Sequence, residues 1–177
     1  MKQLVAIIIL TFSSIVGIAA ENDIWKQSSE QLLKDIEGKH PVTYYALAAH
    51  HFKNGKKDEA VFWYYVGQIR YRFYLSAKKD TLDPSRDPAV FGSLSHTLGT
   101  PINEYGFGDL DAMVKTIDRA IKWDKEHENK FTSVAKFKKL HAEVLEGLQK
   151  LRKMIIDDAD KIRKQRAENG LPNRKSS

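Results

Sequence analysis

The stretch Ala60-Val61-Phe62-Trp63-Tyr64-Tyr65-Val66-Gly67-Gln68-Ile69-Arg70-Tyr71-Arg72-Phe73-Tyr74 decides the fold. Its centre, Phe62-Trp63-Tyr64-Tyr65, has the propensity of a strand. The flanks argue otherwise, because the pattern from Ala60 to Gly67 continues at helical spacing. Asp58 and Glu59 lie just upstream, where carboxylates favour the positive end of a helix. The spacing therefore predicts a helix running through Trp63, Tyr64, Gly67 and Tyr71 to about Ala77.

Working outward, the same period recurs. Upstream, Pro41 suits a first helical position, and a helix through Tyr44-Tyr45-Ala46-Leu47-Ala48 is predicted to end at Asn54-Gly55, a C-terminal cap. Trp25, Leu32, Leu33 and Ile36 share one helical face, and Gly38 is a natural stop. Downstream, two prolines in Asp83-Pro84-Ser85-Arg86-Asp87-Pro88 bar any helix from crossing. A short helix is predicted over 89–98, with Gly99 ending it and Thr100-Pro101 opening the next. After the turn at Gly106-Phe107-Gly108, Asp109 caps a helix bearing Leu110, Val114, Ile117 and Ile121. A long last helix, capped by Thr132 or Ser133, carries the stripe Phe137, Leu140, Val144, Leu148, Leu151, Ile155 and Ile162. No segment shows a sustained period of two between hairpin turns. The expectation is a single compact all-α domain of about five or six helices.

The first twenty residues read as an address. Lys2 gives a positive start, Leu4 to Leu10 an unbroken apolar run, and Gly17-Ile18-Ala19-Ala20 a small-residue site before Glu21, the layout of a secretory signal peptide. Cleavage after Ala19 or after Ala20 fits. A retained anchor is the other reading, although Ser13, Ser14 and Gly17 interrupt a stretch already short for a span of ~20 apolar residues. The expected organisation is a signal peptide over 1–20, a helical domain over 21–168 and a disordered basic tail over 169–177.

Cysteine is absent from all 177 residues, which excludes thiol catalysis and cysteine-ligated zinc. A chain of this size can hold itself together by packing without disulfides. The formal charge is +6, and its excess sits at the C-terminal end, where nine Lys or Arg from Lys150 onward face four acids. Such a segment can meet an acidic protein or an anionic membrane. An exported protein seldom meets nucleic acid, so no nucleic-acid role is expected.

Residues 44–67 resemble one tetratricopeptide-type helical hairpin. Leu47-Ala48 stands at the family's leucine-small step, Gly55 at the turn, Ala60 at the small position where helix packs on helix, Tyr64 at the next aromatic position and Gly67 at the following small one. His51 stands where the family usually has tyrosine, no proline closes the second helix at the family's distance, and no second copy follows at a period near 34 residues. The resemblance covers about a seventh of the chain. It implies a helical hairpin and, weakly, a protein-binding role.

Sequence motifs for chemistry are sparse. The six histidines (40, 50, 51, 96, 127 and 141) include no His-Glu-x-x-His and no Glu-x-x-His spacing. The acidic groups Asp157-Asp158-Asp160 and Glu126-His127-Glu128 read as helix-end chemistry, since a glycosidase needs carboxylates facing across a cleft. Ser93 and Ser95 flank Leu94 beside His96 without the strand-turn-helix context of a nucleophile elbow. Gly106-Phe107-Gly108 is no phosphate fingerprint. No catalytic, metal or cofactor site is expected. The distinctive constellation is the polar stripe Tyr64, Gln68, Arg70, Tyr71 and Arg72, residue types that anchor interfaces. The sequence thus predicts an exported, periplasmic or secreted, non-catalytic domain that binds another protein as an adaptor or an immunity-type protein. Weak membrane contact through the basic C-terminal segment accompanies it. The alternative is an envelope hydrolase whose site is assembled from distant residues.

Overall fold

A computed structural model describes residues 24–174. The expected signal peptide lies outside the described residues. Among these there are eight α-helices and no strand, a compact all-α fold. The helices are α1 (Ser29–Leu33), α2 (Val42–Lys53), α3 (Lys57–Ala77), α4 (Asp87–Thr97), α5 (Gly99–Gly106), α6 (Leu110–Glu126), α7 (Lys138–Asp157) and α8 (Ala159–Glu168).

Helix α3 is the axis of the molecule. Every side chain from Ala60 to Tyr71 is buried, as is Phe73. A helix apolar around its whole circumference has neighbours on all sides, and α3 packs against α2, α4, α5, α6 and α7. Helices α2 and α3 are joined through a turn at Gly55, which lies in the left-handed region at φ 76°. The two helices pack on one another, and Ala48 of α2 and Ala60 of α3 are both fully buried. At Gly67 a Cβ would stand 3.1 Å from the Tyr44 Cβ and from the Tyr45 ring, so a larger residue there would have to push these neighbours aside. Around this seam the aromatic rings interlock edge to face: Tyr45 with Tyr64 and Tyr71, and Trp63 with Trp123.

Several boundaries differ from the expected ones for local reasons. After Gln27 the N-terminal segment is α-helical over Ser29–Leu33, opened by a capping box between Ser28 and Gln31. Asp35 in the left-handed region at φ 52° breaks it before a 3₁₀ turn at Ile36–Gly38. Leu32 and Ile36 reach the core, whereas Trp25 and Leu33 stay largely exposed. Asp109 caps α6 as expected, its Oδ1 accepting from Ala112 N at 3.0 Å.

The expected long last helix is divided. Ser133 Oγ accepts from Lys136 N at 3.3 Å, a separate turn, and α7 begins only at Lys138. The helix bends again at Asp158, φ −104°, although Ile162 N still donates to Asp158 O at 2.9 Å. Ile155 anchors the end of α7 in the core, and Arg166 draws α8 back to α5 by donating to Glu104 O at 2.9 Å. Beyond α8 the chain as far as Arg174 returns along α5 and α8. Arg174 N donates to Gly108 O at 2.6 Å, its guanidinium stacks 3.7 Å from the Tyr105 ring, and Asn173 donates to Arg163 O at 2.9 Å. Residues 175–177 lie outside the described residues.

Candidate functional site

Arg70 and Arg72 stand about 200° apart around α3, and that angle puts them on different sides of the molecule. The Arg70 side is closed. Arg70 and Asp124 are each only 1% exposed, with Arg70 Nε 2.7 Å from Asp124 Oδ1 in an ion contact. Arg70 Nη2 donates to His127 O at 2.7 Å, capping the C-terminal end of α6, where a cation meets the negative end of the helix dipole. Asp124 Oδ2 in turn meets His141 Nε2 of α7 at 2.6 Å. The Arg70 guanidinium lies 5.2 Å from the Trp123 ring, and His127 stacks on that ring at 4.2 Å. One buried acid thus ties α3, α6 and α7 together.

The Arg72 side is open. A cleft of about 760 Å³ runs between α3 and α7, with α4 and α5 closing one end. Tyr64, Tyr65, Gln68, Arg72, Leu75 and Ser76 form the α3 wall, and Phe91, Ser95 and Asn103 the end. Leu140, Val144, Leu148 and Leu151 form the α7 wall, with Glu143 and Gly147 at its surface. The floor is polar but internally satisfied. Gln68 Nε2 donates to the Tyr45 hydroxyl at 2.8 Å and to the Tyr64 hydroxyl at 2.9 Å, and Tyr65 donates to Asn103 Oδ1 at 2.9 Å. Burial pushes the Tyr45 and Tyr64 hydroxyls above the ordinary phenol value, so both stay neutral. Gln68 Oε1 then accepts from Arg72 Nε at 2.8 Å, and the guanidinium sits 5.1 Å from the Phe91 ring. Arg72 is exposed and makes no ion pair among the described residues.

The five residues singled out in the sequence therefore divide. Tyr64, Gln68 and Arg72 meet in the cleft. Arg70 belongs to the buried ion network on the far side. Tyr71 is fully buried and donates to Asp87 Oδ1 at 3.2 Å, while Tyr74 donates to Asp87 Oδ2 at 2.8 Å. With His40 Nε2 3.2 Å from the same carboxylate, these contacts fasten the start of α4 onto α3. The sequence reading did not associate Phe91, Ser95, Asn103 or Gly147 with the stripe, because their proximity arises only when α4, α5 and α7 pack on α3. Leu140, Val144, Leu148 and Leu151 were visible as a helical stripe. In the fold, Leu148 is buried and the other three are only partly covered.

Elsewhere, chemistry-bearing groups are engaged in structure. Ser29 Oγ lies 2.8 Å from His50 Nδ1. Among the described residues no three of His, Asp or Glu gather as a metal-ligating group. Many of the basic charges of the last two helices have acidic neighbours: Lys150 with Glu146, Arg152 with Asp118, Lys153 with Asp157, Arg163 with Asp160 and Lys164 with Glu168. Among the described residues no helix is long and apolar enough to cross a membrane.

A protein of Haemophilus influenzae, described only as uncharacterized, is 28% identical to this chain over 145 residues, covering 73% of this chain and 55% of that protein. The chain thus spans about half the length of the curated relative it matches. No family model matches the chain, and no solved structure matches it.

Proposed function

We propose that this chain is an exported, non-catalytic protein-binding domain of the bacterial envelope, an adaptor or immunity-type protein, whose partner seats in the α3–α7 cleft. One observation carries the reading: an unpaired arginine is held in a fixed pose by Gln68 and Phe91 at the edge of an open, largely apolar cleft. Interfaces combine this way, with an aromatic and arginine anchor beside apolar surface. The floor beneath is already hydrogen-bonded, so an occupant gains by covering the apolar walls and meeting Arg72. Membrane contact is secondary in this reading, because most basic side chains of α7 and α8 sit beside acids.

Gly147 supplies the test. A Cβ built there meets nothing within 4 Å, and the residue lines the cleft. Gly147→Trp should fill the cleft without disturbing the core. Gly92 of α4 is equally open and does not line the cleft, so Gly92→Trp is the control. Proteins recovered from an envelope extract with wild type and with Gly92→Trp, but lost with Gly147→Trp, would support the reading. Equal recovery by all three would overturn it. Export has its own test: the expected N-terminus of protein from the envelope fraction is within a residue or two of Glu21, and intact Met1 in the cytoplasm contradicts it.

The hydrolase reading has one observation in its favour. His141 Nε2 lies 2.6 Å from Asp124 Oδ2, and both residues line a cavity of about 530 Å³ together with Ser133 and His127. Hydrolysis of envelope polymer that disappears in His141→Asn at unchanged melting temperature would establish it.

A further inference from the structure

Resting on the cleft as the partner site, we propose that the occupant is an amphipathic α-helix of another protein, apolar toward α7 and carrying a carboxylate that pairs with Arg72. Length is the first argument. The walls run from Tyr64 to Ser76 on α3 and from Leu140 to Leu151 on α7, about 16–18 Å at 1.5 Å per residue. A helix of three turns covers that distance and presents residues i, i+4 and i+7 along it.

The second argument is the shape of the α7 wall. Leu140, Val144 and Leu151 are partly buried at helical spacing, so α7 offers an apolar ridge without a complete partner. Gly147 interrupts that ridge with open space, a notch into which one large apolar side chain of a neighbouring helix fits.

Charge is the third argument. Arg72 Nε is occupied by Gln68 Oε1, itself set by the Tyr45 and Tyr64 hydroxyls. Its terminal nitrogens form the remaining edge of the guanidinium, suited to bidentate pairing with a carboxylate. Gln68 is therefore a positioning residue for Arg72. Glu143 on the opposite wall lies 4.0 Å from Lys139, whereas Arg72 has no acid beside it among the described residues, and the chain as a whole is +6, Lys2 of the expected signal peptide included. These charges favour an acidic partner over a basic one.

The probe is a displayed library of 18-residue helical peptides. Apolar residues vary along one stripe, and Glu, Gln or Lys vary at its flanks. It is selected on the purified protein with Gly147→Trp as counter-selection. The expected result is enrichment of helices carrying Glu at one flank and a large side chain in the stripe. Synthetic copies should bind Arg72→Ala at least ~10-fold more weakly, and Arg72→Glu should reverse the selection toward Lys. Gln68→Leu should weaken the acidic peptides and leave their Gln counterparts unchanged, which a merely structural role of Gln68 would not do. Three outcomes overturn the proposal: no enrichment over Gly147→Trp, enrichment of proline-rich extended sequences, or enrichment of apolar sequences indifferent to Arg72→Glu. If none is selected while an envelope protein still depends on the open cleft, the binding reading stands and the helical partner falls.

Discussion

Arg70 and Arg72 share a residue type, a helix and nearly a position, yet their surroundings assign them opposite work. Arg70 is enclosed with Asp124, capped onto the end of α6 and linked through that acid to His141. Arg72 is held from behind by Gln68 and leaves one edge to solvent. The difference teaches that arginine content along a helix says little until the angle of each residue is known. A buried ion pair repays its desolvation only when its geometry and its further hydrogen bonds are good. A half-supported arginine at a cleft edge keeps its binding capacity for something else.

The comparison breaks most visibly at the acid. Asp124→Ala strands the Arg70 guanidinium without its counterion and removes the tie to His141. Losing one partner of a buried pair costs about 3–5 kcal/mol. At roughly 2–4 °C per kcal/mol for a chain of this size, thermal melting should fall by about 6–20 °C. A fall below about 2 °C would show that the network does not hold the three helices together.

The buried start of α3 gives an intermediate effect and a scale for the others. Ala60 is fully buried near the start of α3, so Ala60→Leu should overpack its surroundings at a cost of ~1–3 kcal/mol. Lys57, exposed on the same helix, should tolerate leucine with little change in melting. Equal, small effects would mean that the surroundings of Ala60 are not closely packed.

A smaller effect comes from His51, which belongs to neither side of the comparison. Burial is the main cause holding its imidazole below the ordinary value of 6.5, with His50 and Lys56 acting the same way and Glu59 opposing them. A base with a lowered folded value is kept neutral where the unfolded chain would protonate it. Its contribution is therefore present above about pH 6.5 and lost as pH falls through the folded value. Melting should decline between pH 7 and pH 5, and His51→Gln should flatten part of that decline. An unchanged slope would remove His51 as a cause.

The legibility of the fold follows the range of the interactions. Helix α3 was readable to its last residue, because Ala60, Gly67 and the aromatic run share one short period. The caps at Gly55 and Asp109 were readable because each acts within a few residues. The bend at Asp158 and the delayed start of α7 were not, since the hydrogen-bond period runs on through the bend and Arg166 is drawn to Glu104, far away in sequence. The candidate site was half legible. Residue chemistry picked out Tyr64, Gln68 and Arg72 together with Arg70 and Tyr71. Only tertiary packing reveals that Asp124 claims Arg70 and Asp87 claims Tyr71, and no local spacing carries those pairings. The contacts of Arg174 were not legible for the same reason: it looks like solvated charge until Tyr105 and Gly108 are seen beside it.

The most direct test of the division along α3 is thermal melting of Arg70→Ala and Arg72→Ala side by side, with binding to the recovered partner or the selected acidic helix measured on both. Arg70→Ala should melt about 10 °C lower and, below its transition, bind as wild type does. Arg72→Ala should stay within about 1–2 °C of wild type, as exposed substitutions do, and bind at least ~10-fold more weakly, the loss expected of an interface anchor. Equal losses of stability in the two variants, or unchanged binding by Arg72→Ala, would contradict the account.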